Sequence, residues 1–333
     1  FLGEPHGLTE WDPERYGALS IDGDGVSYDI FTQAARALSP GRNVKAQGAD
    51  PMGGLAVKRL IGIGGSQSGN RMLSYANGVQ PIEKAYDALM PTVQAGGYDF
   101  RDEVAHDKTA PSKNRTVQGL LRDDLDTPVM IINSETESLF FKHQPNTDKF
   151  RYWDVAGATH APTKTMQIMR QISDRDAVTN SLYTYSSGRA SDVQWLPVVE
   201  AAIVQVNNWI ITGKAPPEVK LIEMREDGKD YVRDKDGNVI GGVRLPELEV
   251  PIAQYVGNPL IALAGFTIPF SPEKIKRLYP THDDYVAKVK AAAEAARDAG
   301  VILQRTVDDY VKRAQAAPIP VQVYPASLVP VQN

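Results

Sequence analysis

A mostly parallel β-sheet flanked by helices is the fold class this sequence predicts. Three observations carry it. Short apolar runs recur at Leu60 to Ile63, Tyr86 to Val93, Pro128 to Ile132 and Phe150 to Val155. Segments with helical spacing lie between and after them, and strands alternating with helices argue for parallel pairing. The first run also ends in Gly64-Gly65-Ser66-Gln67-Ser68-Gly69, small residues that lead straight into a helical segment. That is the pattern of a strand-to-helix elbow presenting a serine oxygen above the sheet.

The elements are justified in order. Residues 1–25 are loop-like, with Pro5, Pro13 and two glycines in Asp22-Gly23-Asp24-Gly25. Ser27 is placed as the N-cap of a helix carrying Ile30, Phe31, Ala34, Ala35 and Leu38 at helical spacing. Ser39-Pro40-Gly41 ends it. Lys58 to Ile63 is a strand, and Gln67 to Gly78 the helix leaving the elbow. Tyr86 to Val93 is the second strand, and a polar excursion runs from Gly96 to Asp126 with a helical segment at Val117 to Leu121. The third and fourth strands are Pro128 to Ile132 and Phe150 to Val155. Trp195 to Ile211 is an amphipathic helix closed by Gly213.

After Pro216-Pro217 the character changes. Glu218 to Val243 reads as a hairpin turning at Asp236-Gly237. Asp234, Asp236 and Asn238 resemble the start of a calcium loop, but the terminal bidentate acid is missing and a plain turn is expected. Residues 244–282 read as irregular, and Asp283 to Ala299 and Thr306 to Ala316 as helices. Residues 1–217 are therefore expected to form a catalytic core, and residues 218–333 a hairpin and helical extension packed on it.

Composition narrows the function classes. The 333 residues are 42% hydrophobic and 23% charged, with a net charge of −5. That size holds one large α/β domain with elaborations or two smaller domains. The acidic balance argues against a nucleic-acid surface. The absence of cysteine excludes disulfides, thiolate nucleophiles and Cys-ligated zinc. No apolar run approaches the ~18–20 residues of a membrane span. The chain opens with Phe1 and shows no targeting segment, so a processed product or a fragment is expected, and localisation stays open between cytoplasm and periplasm or secretion.

A serine nucleophile needs a base and a carboxylate that orients it. Of His6, His106, His143, His160 and His282, the context of His160 fits. It follows the fourth strand across Ala156-Gly157-Ala158-Thr159, at the carboxyl end where sites of open α/β sheets lie. The acid should leave the third strand, which continues into Ser134-Glu135-Thr136-Glu137. Glu137 is the preferred acid and Glu135 the alternative. The order Ser66, Glu137, His160 is the chain order of nucleophile, acid and histidine in one large group of hydrolases. The backbone N–H of Gln67 is the expected oxyanion donor. This chemistry requires no cofactor or metal, and none is expected. Tyr98, Phe100, Phe140 and Phe141 are candidates to line an acyl or alcohol pocket.

The sequence resembles the bacterial alpha/beta hydrolase domain family. The resemblance rests on Trp11-Asp12-Pro13-Glu14-Arg15-Tyr16-Gly17, Ser27-Tyr28-Asp29-Ile30-Phe31 and Gly65-Ser66-Gln67-Ser68 with Arg71-Met72. It continues through Ser134-Glu135-Thr136-Glu137, Trp153 to Ala161, Gly242 to Pro246 and Leu278 to Val286. The resemblance implies an α/β-hydrolase fold and a serine hydrolase, carboxylesterase-like, acting on a small ester. It supports Glu137 over Glu135, because members tend to carry an Asp where Glu137 stands. Members also place a block of strands before the Trp-Asp-Pro segment. Those N-terminal strands are missing from this chain, so a second chain or an upstream segment is expected to complete the sheet and supply the second oxyanion amide. Two alternatives stand beside the hydrolase. One is a lyase or acyltransferase on the same fold; the other is an inactive binding protein, against which the intact Ser, acid and His set argues.

Overall fold

The structure is a computed structural model of the chain. It describes residues 7–21, 23–98, 116–117, 120–176, 190–257 and 263–320. Two one-turn helices, α1 (Leu8–Trp11) and α2 (Pro13–Tyr16), precede α3 (Ser27–Leu38) and the short α4 (Val44–Gln47). β1 (Ile61–Gly65) passes through the elbow into α5 (Gln67–Gly78), and α6 (Gln80–Glu83) leads to β2 (Ala88–Thr92). A two-residue antiparallel pair follows, β3 (Gly97–Tyr98) with β4 (Thr116–Val117). Then come β5 (Val129–Ser134), α7 (Glu135–Ser138), β6 (Phe150–Val155), α8 (Thr163–Asp176) and α9 (Leu196–Thr212). The C-terminal part holds α10 (Pro246–Glu249), β7 (Ala253–Val256), β8 (Phe266–Pro269), α11 (Pro272–Leu278), α12 (His282–Asp298) and α13 (Gln304–Ala316).

The central sheet is parallel, in the order β1-β2-β5-β6. Every residue of β2, β5 and β6 is buried, as expected of parallel strands covered on both faces. β1 differs. It forms one edge of this sheet among the described residues, and its burial alternates, with Ile63 45% exposed.

The other edge is closed by the C-terminal part. Val243 bridges Val155 in parallel, its N–H donating to Asp154 O at 2.6 Å and its carbonyl accepting from Ala156 N–H at 3.1 Å. One apolar cluster runs from Met90, Met130 and Trp153 through Val243, Leu245 and Tyr255 to Val289 and Tyr310 on the last two helices. A second cluster covers the opposite side around Leu73, Tyr75, Leu89, Ile131 and Tyr152, with Phe31 and Tyr86 packed against it. The indole of Trp153 donates to Pro217 O at 2.9 Å, so this fully buried ring leaves no polar atom unpaired.

Several expectations are corrected. Ser27 is the first residue of α3 and Val26 is its N-cap; the Ser27 hydroxyl accepts from Arg71 Nη1 at 2.9 Å instead. Thr116 and Val117 pair with β3, and Leu120 and Leu121 are not helical, so the described residues of 117–121 do not form the expected helical segment. The described residues of 244–282 are not irregular: they hold α10, β7, β8 and α11, and alternating buried positions in β7 accompany its antiparallel pairing with β8. The hairpin over 218–243 is two isolated antiparallel bridges, Met224 with Tyr231 and Arg233 with Val239. Its turn is made by Asp234, whose Oδ1 accepts from Asp236 N at 2.9 Å and Asn238 N at 3.0 Å. Among the described residues, no group of three or more His, Asp or Glu side chains converges as a metal ion would require, and no helix is long and apolar enough to cross a membrane.

Candidate active site

Ser66 caps α5 with φ 58° and ψ −124°. An L-residue with a side chain rarely holds positive φ, and such strain concentrates at functional sites. The surrounding small residues make the elbow possible. A Cβ on Gly64 would stand 2.7 Å from Ser68 O, and one on Gly69 would stand 2.7 Å from Thr92 O. The turn is anchored by Ser66 N–H donating to Thr92 O and Asn70 N–H donating to Ser66 O, both at 3.0 Å. Gln67 is the first residue of α5, where backbone N–H groups have no intrahelical acceptor. Those groups and the positive end of the helix dipole suit a developing negative charge.

β5 ends in a capping box. Ser134 caps the one-turn helix α7, and Glu137 Oε2 accepts from the Ser134 hydroxyl at 2.5 Å and from Ser134 N–H at 3.2 Å. This leaves Glu137 Oε1 turned toward His160, with Nδ1 at 2.6 Å. Burial lowers the His160 pKa, but the hydrogen bond and the charge of Glu137 outweigh it, and the net shift is upward. A carboxylate oriented by two donors on one oxygen fixes the imidazole through the other.

The alternative acid, Glu135, does not face His160. It is fully buried, and its Oε1 accepts from Arg233 Nη2 at 3.0 Å and Gly257 N at 3.1 Å. Its Oε2 accepts from Gly157 N at 2.9 Å. Its backbone N–H donates to Ala158 O at 3.1 Å, and its carbonyl accepts from Tyr231 Oη at 2.8 Å. Burial raises the Glu135 pKa, with Arg233 and the two peptide donors pulling the other way.

Ser66, Glu137 and His160 line one cavity of about 180 Å³, with Asn70, Val93, Gln94, Ala95, Thr136, Phe140 and Leu263. Of the aromatic candidates, Phe140 is in this wall, whereas Phe141 stacks on Tyr152 in the core. Phe100 lies outside the described residues, as do His6 and His106. His143 packs edge-on against Phe141 and Tyr152, and His282 contacts the Gln315 and Ile319 carbonyls. Asn70, Val93, Gln94 and Thr136 went unread in the sequence. Thr136 lay inside the acid motif, and Val93 ended an apolar run. Val93 holds φ 41°, unusual for a β-branched residue and invisible to a pattern of polarity.

The sequence pattern of the alpha/beta hydrolase domain family matches residues 3–312, and the chain belongs to that family. No curated protein and no solved structure matches it.

Behind the site, Asp154 on β6 is fully buried. Its Oδ2 accepts from Ser138 Oγ and Ile222 N, both at 3.1 Å, while Oδ1 has no partner. Burial is the main cause that lifts its pKa from 3.8 to about 7. A raised folded pKa means the folded state binds the proton more tightly than the unfolded chain. The stability cost is therefore absent below pH 3.8 and grows as pH rises toward 7. Asp154→Asn keeps an acceptor for both donors and removes the charge. Its stability relative to the parent, read from urea midpoints, should improve between pH 4 and 8 by a few kcal/mol, at about 1.4 kcal/mol per tenfold change in proton affinity. A difference that stays constant across that range would refute the assignment.

Proposed function

We propose that this chain is a serine hydrolase that cleaves a carboxylic ester through Ser66, Glu137 and His160. The observation that carries the reading is the Glu137–His160 pair opening on the same cavity as the strained Ser66. Ser66 Oγ attacks the carbonyl carbon and its proton passes to His160 Nε2. The tetrahedral oxyanion is held by the Gln67 N–H at the start of α5. Collapse breaks the ester C–O bond, His160 returns the proton to the departing alcohol, and the acyl group stays on Ser66. Water then repeats the sequence with His160 as base, releasing the acid. Glu137 stays ionised and stabilises the imidazolium formed in each half.

The second oxyanion amide is assigned to a further strand on the open side of β1. An exposed strand edge is a template for pairing, and Ile63 shows its side chain there. A second polypeptide, or another segment of the same gene product, would add its strand beside β1 and bring an amide opposite the Gln67 N–H. One donor alone forfeits roughly 10²–10³ in rate.

Three outcomes are expected. Ser66→Ala should abolish fluorophosphonate labelling and lower turnover of a p-nitrophenyl ester by several orders of magnitude, on the order of 10⁶ for a triad nucleophile. Loss in Ser68→Ala with Ser66→Ala still active would move the nucleophile.

The pH profile follows from the raised His160 pKa. The base must be neutral, so kcat/KM should rise with pH through a midpoint above the ordinary histidine value of about 6.5. Glu137→Gln removes the charge that lifts it, and the midpoint should fall as burial acts unopposed. An unchanged or higher midpoint would reject Glu137 as the partner.

Light scattering after size exclusion tests the open edge. Association with itself or with a second polypeptide through β1 is expected, and substituting Ile63→Lys should reduce it. A stable monomer with full activity would remove the need for an added strand.

A further inference from the structure

Tyr231 and Arg233 stand two positions apart on one bridged stretch of the C-terminal part, and both side chains end on the same residue. Tyr231 Oη donates to the Glu135 carbonyl at 2.8 Å, and Arg233 Nη2 donates to Glu135 Oε1 at 3.0 Å. Alternate residues of an extended stretch share a face, so the two groups are presented together. Tyr231 and Glu135 are buried, while the Arg233 side chain keeps 21% of its surface exposed.

The stretch has a fixed place of its own. Val232 N–H donates to Glu223 O at 2.8 Å, and Ile240 N–H donates to Val232 O at 3.1 Å, so it is paired on both sides. Asn238 fastens the following turn to β7, its Nδ2 donating to Ala253 O at 3.2 Å and its Oδ1 accepting from Tyr255 N–H at 2.8 Å. Arg233 Nη1 donates to Gly237 O in that turn at 3.2 Å, which orients the guanidinium toward Glu135. Glu135 in turn is joined twice to the loop that carries His160. Its Oε2 accepts from Gly157 N–H, and its own N–H donates to Ala158 O. It also shares a one-turn helix with Glu137.

We infer that Arg233 is a positioning residue for the reaction: acting through Glu135, it holds the acid turn and the histidine loop in the register that lets Glu137 meet His160. This rests on the serine hydrolase reading of that site. Among the described residues, the wall of the cavity holding Ser66 and His160 includes neither Arg233 nor Glu135, so the effect on catalysis passes through the backbone they hold. The competing account is that Arg233 only neutralises a buried carboxylate. The two differ in what they require. Neutralisation is met equally well by removing both charges. Positioning needs Glu135 to accept on both oxygens, which only a carboxylate can do, and a carboxylate buried there needs its cation.

The test uses variants of the full chain with a p-nitrophenyl ester. Arg233→Met keeps much of the side chain's length and loses its charge and donors. Its kcat should fall by about 10²-fold, the cost of an ångström-scale misplacement, with KM unchanged, because no substrate contact is lost. The midpoint of kcat/KM against pH should fall as well. The His160 shift comes from burial and Glu137, so a lower midpoint reports that Glu137 has moved off the imidazole. Arg233→Lys, which keeps the charge, should restore part of both. Removing the cation from a buried pair is strongly destabilising, so a second variant separates folding from positioning. Arg233→Met combined with Glu135→Gln removes both charges, and its urea midpoint should recover toward the parent's. Its kcat and pH midpoint should nevertheless stay low, because a carboxamide nitrogen cannot accept from Gly157 or Gly257. Parent values of kcat and pH midpoint in that double variant would reduce Arg233 to charge neutralisation and overturn the inference. A spectroscopic readout needs no turnover. The His160 Nδ1 proton, shared with Glu137 across 2.6 Å, should give a far-downfield ¹H signal in the parent that is lost or moved upfield in both variants. That signal unchanged in both, with the parent labelled at Ser66 by fluorophosphonate, would overturn the positioning role and leave the hydrolase standing.

Discussion

The carboxylate of Glu135 is the interaction on which the site's geometry depends. It belongs to the turn that carries Glu137, yet it binds the two peptide N–H groups of Gly157 and Gly257 and the guanidinium of Arg233. The histidine loop, the acid turn and the C-terminal part therefore meet at one buried group. Gly257 lies so close that a Cβ there would stand 2.7 Å from Glu135 Cβ and 2.8 Å from Ala158 O. Removing one partner of a buried pair typically costs about 3–5 kcal/mol, because the remaining charge is left uncompensated. The 2.6 Å contact between Glu137 and His160 is thus held from behind, by a residue two positions away whose carboxylate is bound to Arg233, Gly157 and Gly257.

Arg233, Tyr231 and Ile222 give the C-terminal part a second role beyond covering apolar surface. Tyr231 donates to the Glu135 carbonyl, and Ile222 N–H shares Asp154 Oδ2 with the Ser138 hydroxyl. Ser138 closes the same one-turn helix that holds Glu135 and Glu137. The helix has only four residues, too few to be stable by itself. Its capping box at one end and the contacts from 218–257 at the other supply what its length does not.

The legible part of this protein was the part written in short-range pattern. Four apolar runs marked the sheet, and small residues at 64, 65, 68 and 69 marked the elbow, because a sharp turn tolerates little else. The capping box Ser134-x-x-Glu137 was also visible as spacing. What pattern left open between Glu135 and Glu137 was decided by Arg233, about a hundred residues further on, which occupies the nearer acid and leaves the farther one to the histidine. No local signal encodes that choice. The β7–β8 hairpin was hidden because Pro and Gly punctuation in 244–282 resembles irregular chain until the partner strands are seen together.

The two edges of the sheet complete the physical account. On the β6 side, Val243 satisfies the outer backbone of Asp154 and Ala156, and the apolar cluster continues unbroken to α12 and α13. On the β1 side, Ile63 is half-exposed and alternates with buried glycines. The elbow stands at the end of β1. Ser66 is held there by the Thr92 carbonyl, which accepts its N–H, and by the Asn70 N–H, which donates to its carbonyl, whereas Glu137 is held by both Ser134 donors on one oxygen and by His160 on the other. Glycines in β1 lower its own rigidity, since Gly loses more conformational freedom on folding than any other residue. A residue held in a strained φ needs surroundings that over-determine it. The Glu137 carboxylate is over-determined in this sense by Ser134 and His160 together, and Ser66 by the backbone of Thr92 and Asn70 on either side of its turn.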